Sequence, residues 1–131
     1  FEGRRVPRNV FIIDDADFMI DMIRMILEDA DYRVVGASTD SVIALSQLRE
    51  LAVAPKPTAV DIVIVDLHMP KLDGFETVRR LREIFPTAKV LLVTANSSLP
   101  VALKARELKI DGFVVKPFEP EVLVEQIARL A

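Results

Sequence analysis

Five short, almost wholly apolar runs alternate with helix-patterned segments, and this alternation constrains the fold more than any other feature of the chain. The runs lie at residues 10–13, 32–37, 62–65, 90–93 and 112–115. Short runs rich in β-branched residues indicate strands, and the absence of a polar face indicates strands covered on both sides. Helices between such strands predict a parallel, doubly wound sheet, with the less apolar run 32–37 at an edge.

We therefore predict an α/β fold with a single (βα)5 domain, in three α/β/α layers, with the flavodoxin-like strand order 2-1-3-4-5. A (β/α)8 barrel is excluded because 131 residues are too few. Residues 1–8 carry several arginines and no apolar period, so we assign them to a tail and residues 9–131 to the domain.

Helical spacing also predicts which helix residues face the core. We interpret Met19, Met22 and Met25 of the first helix as adaptable core packing. For the second helix, the predicted inward face is Val42, Leu45, Leu48 and Ala52.

Composition excludes several kinds of site. The chain has no cysteine and a single histidine, His68, which excludes disulfides, thiolate chemistry and multi-histidine metal sites. Any metal must then be held by oxygen, which favours Mg²⁺, Mn²⁺ or Ca²⁺. The net charge of -3 argues against nucleic-acid binding by charge, and neither nucleotide-binding glycine motif is present. No membrane-length run or signal peptide is visible, so we expect a cytoplasmic location without membrane contact.

Polar side chains follow four of the predicted strands. Asp14 and Asp15 follow the first, Asp66 the third, Thr94 the fourth and Lys116 the fifth. A lone Asp66 would most simply cap a loop. Because parallel strands end at one rim, however, these five residues are expected to converge beside the switch point of the sheet.

The predicted cluster has a definite electrostatic requirement. Three neighbouring carboxylates repel one another, and a divalent cation with oxygen ligands relieves that repulsion. Lys116 and Thr94 supply donors on the other side. A phosphoryl group on Asp66 fits the space between them, since phosphoryl transfer needs mainly in-line positioning and charge neutralisation.

These residues resemble the receiver domain of two-component response regulators over about residues 8–131. The resemblance rests on Asp14-Asp15, the segment 65–74 (Val-Asp-Leu-His-Met-Pro-Lys-Leu-Asp-Gly), Thr94-Ala95 and Lys116-Pro117-Phe118. It implies that Asp66 accepts phosphate from a phosphohistidine, and that Mg²⁺ (or Mn²⁺) is bound by Asp15, Asp66 and the backbone carbonyl of His68, with Asp14 acting largely through metal-bound water. It also implies that Thr94 and Lys116 bind phosphoryl oxygens, and that the peptide before Pro117 is cis.

The resemblance also suggests how the signal leaves the site. In the family, the threonine hydroxyl moves towards the phosphoryl group and an aromatic residue on strand five rotates inward. That aromatic position is Phe113 here, where many members have tyrosine, so a phenol hydrogen bond is lost. A resting role for Phe113 as a core residue at the sheet edge is equally consistent with the sequence.

Two further residues are candidates for setting the phosphoryl lifetime. His68 lies two residues after Asp66, and Asn96 lies two after Thr94. The simpler interpretation is that His68 is an exposed loop residue that contributes only its carbonyl. The alternative is that His68 and Asn96 screen the attacking water.

Partners follow from the resemblance. A histidine kinase or histidine phosphotransfer protein is the expected phosphodonor, and the face formed by helix four, strand five and helix five is the expected output surface. That face could serve a C-terminal output domain, a protein partner or a homodimer, with no direct nucleic-acid contact. The domain would not be an enzyme beyond its own phosphorylation and slow dephosphorylation.

Two other classes compete. Asp15-Ala16-Asp17 matches the D-x-D start of haloacid-dehalogenase-like phosphatases, although Asp17 falls in the polar stripe of a helix. Labelling of Asp15 rather than Asp66 by a phosphodonor would identify that class. A pseudo-receiver that only binds proteins is the other alternative, and Mg²⁺ binding discriminates against it.

Overall fold

The structure, a computed structural model, describes residues 8–130 and contains five strands and five helices in strict alternation within them. The larger part of the predicted tail, residues 1–7, lies outside the described residues. The elements in chain order are β1 (Asn9–Ile13), α1 (Asp17–Asp29), β2 (Arg33–Ser38), α2 (Ser41–Val53), β3 (Ile62–Val65), α3 (Gly74–Ile84), β4 (Lys89–Thr94), α4 (Leu99–Glu107), β5 (Gly112–Val115) and α5 (Pro120–Leu130).

All strand pairs are parallel, and their order is β2-β1-β3-β4-β5. The predicted fold class and strand order are therefore confirmed, with β2 at one edge. Every residue of β3 is fully buried, as its unbroken apolar sequence requires. Among the helices of residues 8–130, none has the length and hydropathy needed to cross a membrane.

Side chains alternate between the two sheet faces and build two main cores. Val10 and Ile12 of β1 pack with α1 and α5, whereas Phe11 and Ile13 pack with α2 and α3. A smaller cluster, the α4 cluster, holds α4 against the sheet. It consists of Leu67, Leu92, Val101 and Ala105, with Phe75, Ile110 and Phe113 packed against it.

Two helices end in the same C-terminal motif. At the end of α4, the Ile110 N–H donates to Ala105 O and the Lys109 N–H to Arg106 O, with Lys109 at φ 55. At the end of α1, Asp31 takes the corresponding position at φ 66. This is the Schellman motif, which usually has glycine at the left-handed position.

The structure corrects the predicted packing of α1. Met22 and Met25 are 38% and 71% exposed, so the expectation that they fill the core is wrong. The apolar arc of α1 is wider than the face that the sheet and α5 can cover. Ile20, Ile23 and Leu27 occupy that face and are buried.

The packing of α2 agrees with the prediction at Leu45 and Leu48, which are buried, but differs from it in the first turn. Val42 is 47% exposed, so its predicted inward orientation is wrong. Ser41 takes the buried place in the first turn, and Ala44, Leu45 and Leu48 continue that face. The Ser41 hydroxyl donates a hydrogen bond to the carbonyl of Leu72, which orients the first turn.

Candidate functional site

The carboxyl ends of β1, β3, β4 and β5 meet at one rim of the sheet. Backbone hydrogen bonds hold this rim together, because the Asp66 N–H donates to Ile13 O and the Lys116 N–H donates to Thr94 O, both at 2.9 Å. These bonds hold the backbone of the residues that directly follow the strands. Asp14 and Asp66 follow directly after the buried strands β1 and β3 and are themselves only 1% and 5% exposed.

Asp14, Asp15 and Asp66 form one acidic cluster. Each contributes a carboxylate oxygen, and these three oxygens lie within 4.8 Å of one another. Asp14 and Asp66 are buried, whereas Asp15 is exposed to solvent. The prediction brought these three residues together from two separate strands, and the structure places them at one point.

Lys116 reaches the same point from β5. Its Nζ lies 2.6 Å from Asp14 Oδ2 and 3.2 Å from Asp66 Oδ2. The peptide bond that follows, between Lys116 and Pro117, is cis. The ammonium therefore bridges the two buried carboxylates.

Burial and charge act against each other in this ion pair. Burial raises the pKa of the Asp14 carboxyl, and the hydrogen bond from Lys116 only partly offsets that effect. Burial alone would lower the pKa of Lys116, but the hydrogen bonds and charges of Asp14 and Asp66 together outweigh it, so the pKa of Lys116 is raised. The pair thus keeps the lysine protonated and leaves Asp14 only partly compensated.

The donor set fits a small divalent cation. Three carboxylates and one ammonium give these four groups a formal charge of -2. All candidate ligands are oxygens, the preference of Mg²⁺ and of similar hard cations. Since no fixed cation other than Lys116 contacts Asp14 or Asp66 within residues 8–130, a bound divalent cation would supply the missing positive charge.

Thr94 lies at the end of β4 and is fully buried. Its hydroxyl accepts a hydrogen bond from the Asn96 N–H at 3.2 Å. The Asn96 side chain in turn accepts a hydrogen bond from the Ser98 N–H at 3.0 Å, immediately before α4 begins. Two side chain–backbone bonds therefore connect Thr94 to Ser98, the N-cap residue of α4.

His68 is exposed on the loop after β3, and its N–H donates to Asp66 Oδ1 at 3.3 Å. Its backbone thus lies beside the acidic cluster, as a carbonyl ligand requires. Gly74, the first residue of α3 after this loop, is buried directly against the backbone of Asp66 and Leu67. Phe113 is half-buried on β5 and packs against the α4 cluster.

Sequence reasoning missed Ser41, whose buried hydroxyl contacts the loop after β3. Its position next to the N-cap of α2 was visible in the sequence, but such a serine is also common as an exposed first-turn residue. The close approach of Gly74 to Asp66 likewise depends on how the helix docks. Neither contact has a local sequence signal.

Comparison with known proteins extends these observations. A family model described as the response regulator receiver domain matches residues 10–128. The chemotaxis protein CheY of Thermotoga maritima is 32% identical over 124 residues, which are 95% of this chain and 98% of that protein. Chemotaxis protein CheY4 of Vibrio cholerae superposes with a TM-score of 0.82 at 26% identity, covering 96% of this chain and all of that one. The BeF3-activated DrrB receiver domain of Thermotoga maritima superposes with a TM-score of 0.79 at 25% identity, covering 95% and 97%.

Proposed function

This chain belongs to the response regulator receiver domain family, and from that premise we propose that it takes a phosphoryl group from a phosphohistidine onto Asp66. Receiver domains of this kind are signalling domains that bind Mg²⁺ at an acidic pocket. The observation that carries the proposal is the position of Lys116, whose Nζ contacts both buried carboxylates of the acidic cluster.

Asp66 is suited to act as the nucleophile because it follows directly after the fully buried strand β3, which holds its backbone in place. In the transfer, an Asp66 oxygen forms a bond to phosphorus while the phosphorus–nitrogen bond of the donor breaks, and the leaving imidazole takes up any proton it needs from solvent. Lys116 would then exchange part of its contact with Asp66 for a phosphoryl oxygen. The Thr94 hydroxyl would donate to another.

The acidic residues would hold the cation. When bound, Mg²⁺ would neutralise charge on the phosphoryl oxygens, and Asp14, Asp15, Asp66 and the carbonyl of His68 are the groups that would hold it. Asp14 and Asp66 are held by the ends of β1 and β3, so their spacing changes little. This preorganisation lowers the cost of assembling the charged site.

We expect the signal to leave through the face formed by α4, β5 and α5. If Thr94 turns towards a phosphoryl group, its bond to the Asn96 N–H breaks, and the turn before α4 is released. Phe113 packs against the α4 cluster, and by the resemblance to the family we expect it to rotate into the space that Thr94 leaves. The face exposes several large apolar side chains to a partner, an output domain or a second copy: Leu99, Leu103, Val115 and Val122.

His68 and Asn96 remain the proposed determinants of phosphoryl lifetime. His68 is exposed and free to approach the site, whereas the Asn96 side chain is engaged with Ser98. Asn96 can therefore act on water only after that turn opens. A dephosphorylation rate unchanged in His68→Ala would remove His68 from this role.

The proposal is tested by locating the phosphorylated residue. We expect incubation with acetyl phosphate or a histidine kinase and Mg²⁺ to add one acid-stable, base-labile phosphoryl group at Asp66, detected by peptide mass spectrometry after borohydride reduction. Asp66→Asn abolishes it, and Asp21→Asn, on the exposed face of α1, serves as the control. Labelling at Asp15 would instead indicate a phosphatase-type site, and no Mg²⁺ binding would indicate a protein-binding module.

A further inference from the structure

We propose that Ser41 and Asp40, at the start of α2, are positioning residues for the phosphoacceptor loop, defined here as residues 66–73. This inference rests on the proposed function, because the loop carries Asp66 and the backbone carbonyl of His68. Both residues bind the far part of the loop, at Lys71 and Leu72. The first turn of α2 would thereby set the metal affinity of a site to which it contributes no ligand.

The Ser41 hydroxyl makes the first of these contacts. Ser41 is fully buried, and its Oγ donates to the carbonyl of Leu72 at 2.8 Å. The N-terminal N–H groups of α2 do not use this hydroxyl, because the Asp40 side chain accepts from Val42 N and Ile43 N. The serine therefore serves the loop rather than its own helix.

Asp40 makes the second contact. Its Oδ1 caps α2, while its Oδ2 lies 2.8 Å from the Nζ of Lys71. The hydrogen bond from Lys71, followed by those from the helix backbone, lowers the pKa of Asp40. Since the lysine side chain is largely exposed, this ion pair adds less than the buried hydroxyl contact.

The contacts of Ser41 and Asp40 affect the acidic cluster through the segment 68–71, which carries the His68 carbonyl. At the near end of the loop, the His68 N–H bonds to Asp66 Oδ1, and a bond from the Gly74 N–H to Leu67 O joins the two ends of the loop. At the far end, Leu72 packs in the α2–α3 core and its carbonyl bonds to Ser41. These contacts hold the chain on both sides of residues 69–71 and so limit the path of that segment and the directions open to the His68 carbonyl.

Loss of the Ser41 contact would affect the loop more than the rest of the fold. The Leu72 carbonyl would lose its buried donor, and reaching water would require the loop to move outward. The ligand carbonyl of His68 would then sample more positions before binding. Ordering such a loop on binding costs free energy, so we expect weaker Mg²⁺ binding and not loss of the site.

The test compares Ser41→Ala with Ser46→Ala, a matched change on the exposed side of the same helix. Mg²⁺ affinity is measured by isothermal titration calorimetry well below the melting temperature of every variant, and hydrogen exchange of residues 66–73 is measured without metal. For Ser41→Ala we expect a Mg²⁺ Kd about three- to ten-fold higher and faster exchange in the loop. Ser46→Ala should change neither.

Lys71→Gln, with Lys56→Gln as its control, tests the second contact and covers the case in which Ser41→Ala does not fold. We expect about a twofold rise in the Mg²⁺ Kd and faster loop exchange. A Ser41→Ala protein with a lower melting temperature but a parental Mg²⁺ Kd would overturn the positioning role. If the parent itself bound no Mg²⁺, the proposed function would fail, while the metal-free exchange rates would still decide whether Ser41 holds the loop.

Discussion

Gly74→Ala is the sharpest single test of whether the backbone of Asp66 must stay where the structure places it. Gly74 begins α3, and a Cβ built there would lie 2.6 Å from Asp66 O and 2.8 Å from Leu67 Cα. Ordinary contact begins at 3.4 Å, so the added methyl group overlaps two backbone atoms by 0.6 to 0.8 Å. Neither atom belongs to a flexible side chain that could turn away.

The cost of this overlap can be worked out from two opposing effects. Forcing a methyl group into a well-packed site costs about 1–3 kcal/mol. Replacing glycine reduces the entropy of the unfolded chain and returns about 0.4–1 kcal/mol. We therefore expect a net loss of about 1–2 kcal/mol, or about 3–10 °C in melting temperature for a domain of this size.

The functional effect separates Gly74 from a purely structural glycine. Gly36→Ala is the control, because its Cβ would lie 2.5 Å from the Phe11 ring in the core, against a side chain and not against the loop. Both variants should lose stability in urea unfolding. Only Gly74→Ala should weaken Mg²⁺ binding, by about five-fold or more in calorimetry at 25 °C, because it displaces a ligand residue. A parental Mg²⁺ Kd in a destabilised Gly74→Ala protein would refute the argument that a rigid Asp66 backbone maintains the site.

Three further changes test other parts of the structure. Lys109→Gly should raise stability by about 0.5–1 kcal/mol in urea unfolding, because Lys109 holds a left-handed conformation that costs a side chain more than it costs glycine. Asp14→Asn should raise the melting temperature of the metal-free protein at pH 7. The raised pKa of Asp14 means that its charged form destabilises the fold above that pKa and ceases to do so as the pH falls through it, so this part of the pH dependence should disappear. Arg82→Gln should cost about 1–2 kcal/mol and speed amide exchange after α4, because Arg82 donates to the carbonyls of Leu108 and Lys109.

The sheet and the acidic cluster were predictable from the sequence for one physical reason. A strand buried on both faces has no polar positions, so Ile62 to Val65 left little choice of structure, and parallel strands bring their carboxyl ends together whatever the helices do. Asp14, Asp66 and Lys116 therefore converge as expected. Their spacing along the chain is large, but the topology alone determines that they meet.

The helix faces were less predictable because several side chains compete for each buried place. In α2, the apolar pattern alone favours Val42 as an inward residue, but Ser41 takes the buried place in the first turn and bonds to the Leu72 carbonyl, while Leu45 and Leu48 are buried as predicted. In α1, the spacing of Met22 and Met25 fits a core helix, yet the width of the covered face excludes them. Both errors arise from contacts between distant segments, which periodicity cannot report.

The different contacts of Asp66, Lys116 and Thr94 indicate which part of the structure should move on phosphorylation. Asp66 and Lys116 leave strands that are tied to their neighbours by backbone hydrogen bonds, so added charge cannot be relieved by moving them far. Thr94 is connected to Asn96 and Ser98 by bonds that involve side chains and that can break one at a time. At the other end of α4, Arg82 and the Schellman motif hold the last turn in place. We therefore expect the first turn of α4 to move while its C-terminal end stays fixed. On phosphorylation of Asp66, the amide hydrogen-exchange rate of Ala102 should change more than that of Leu108.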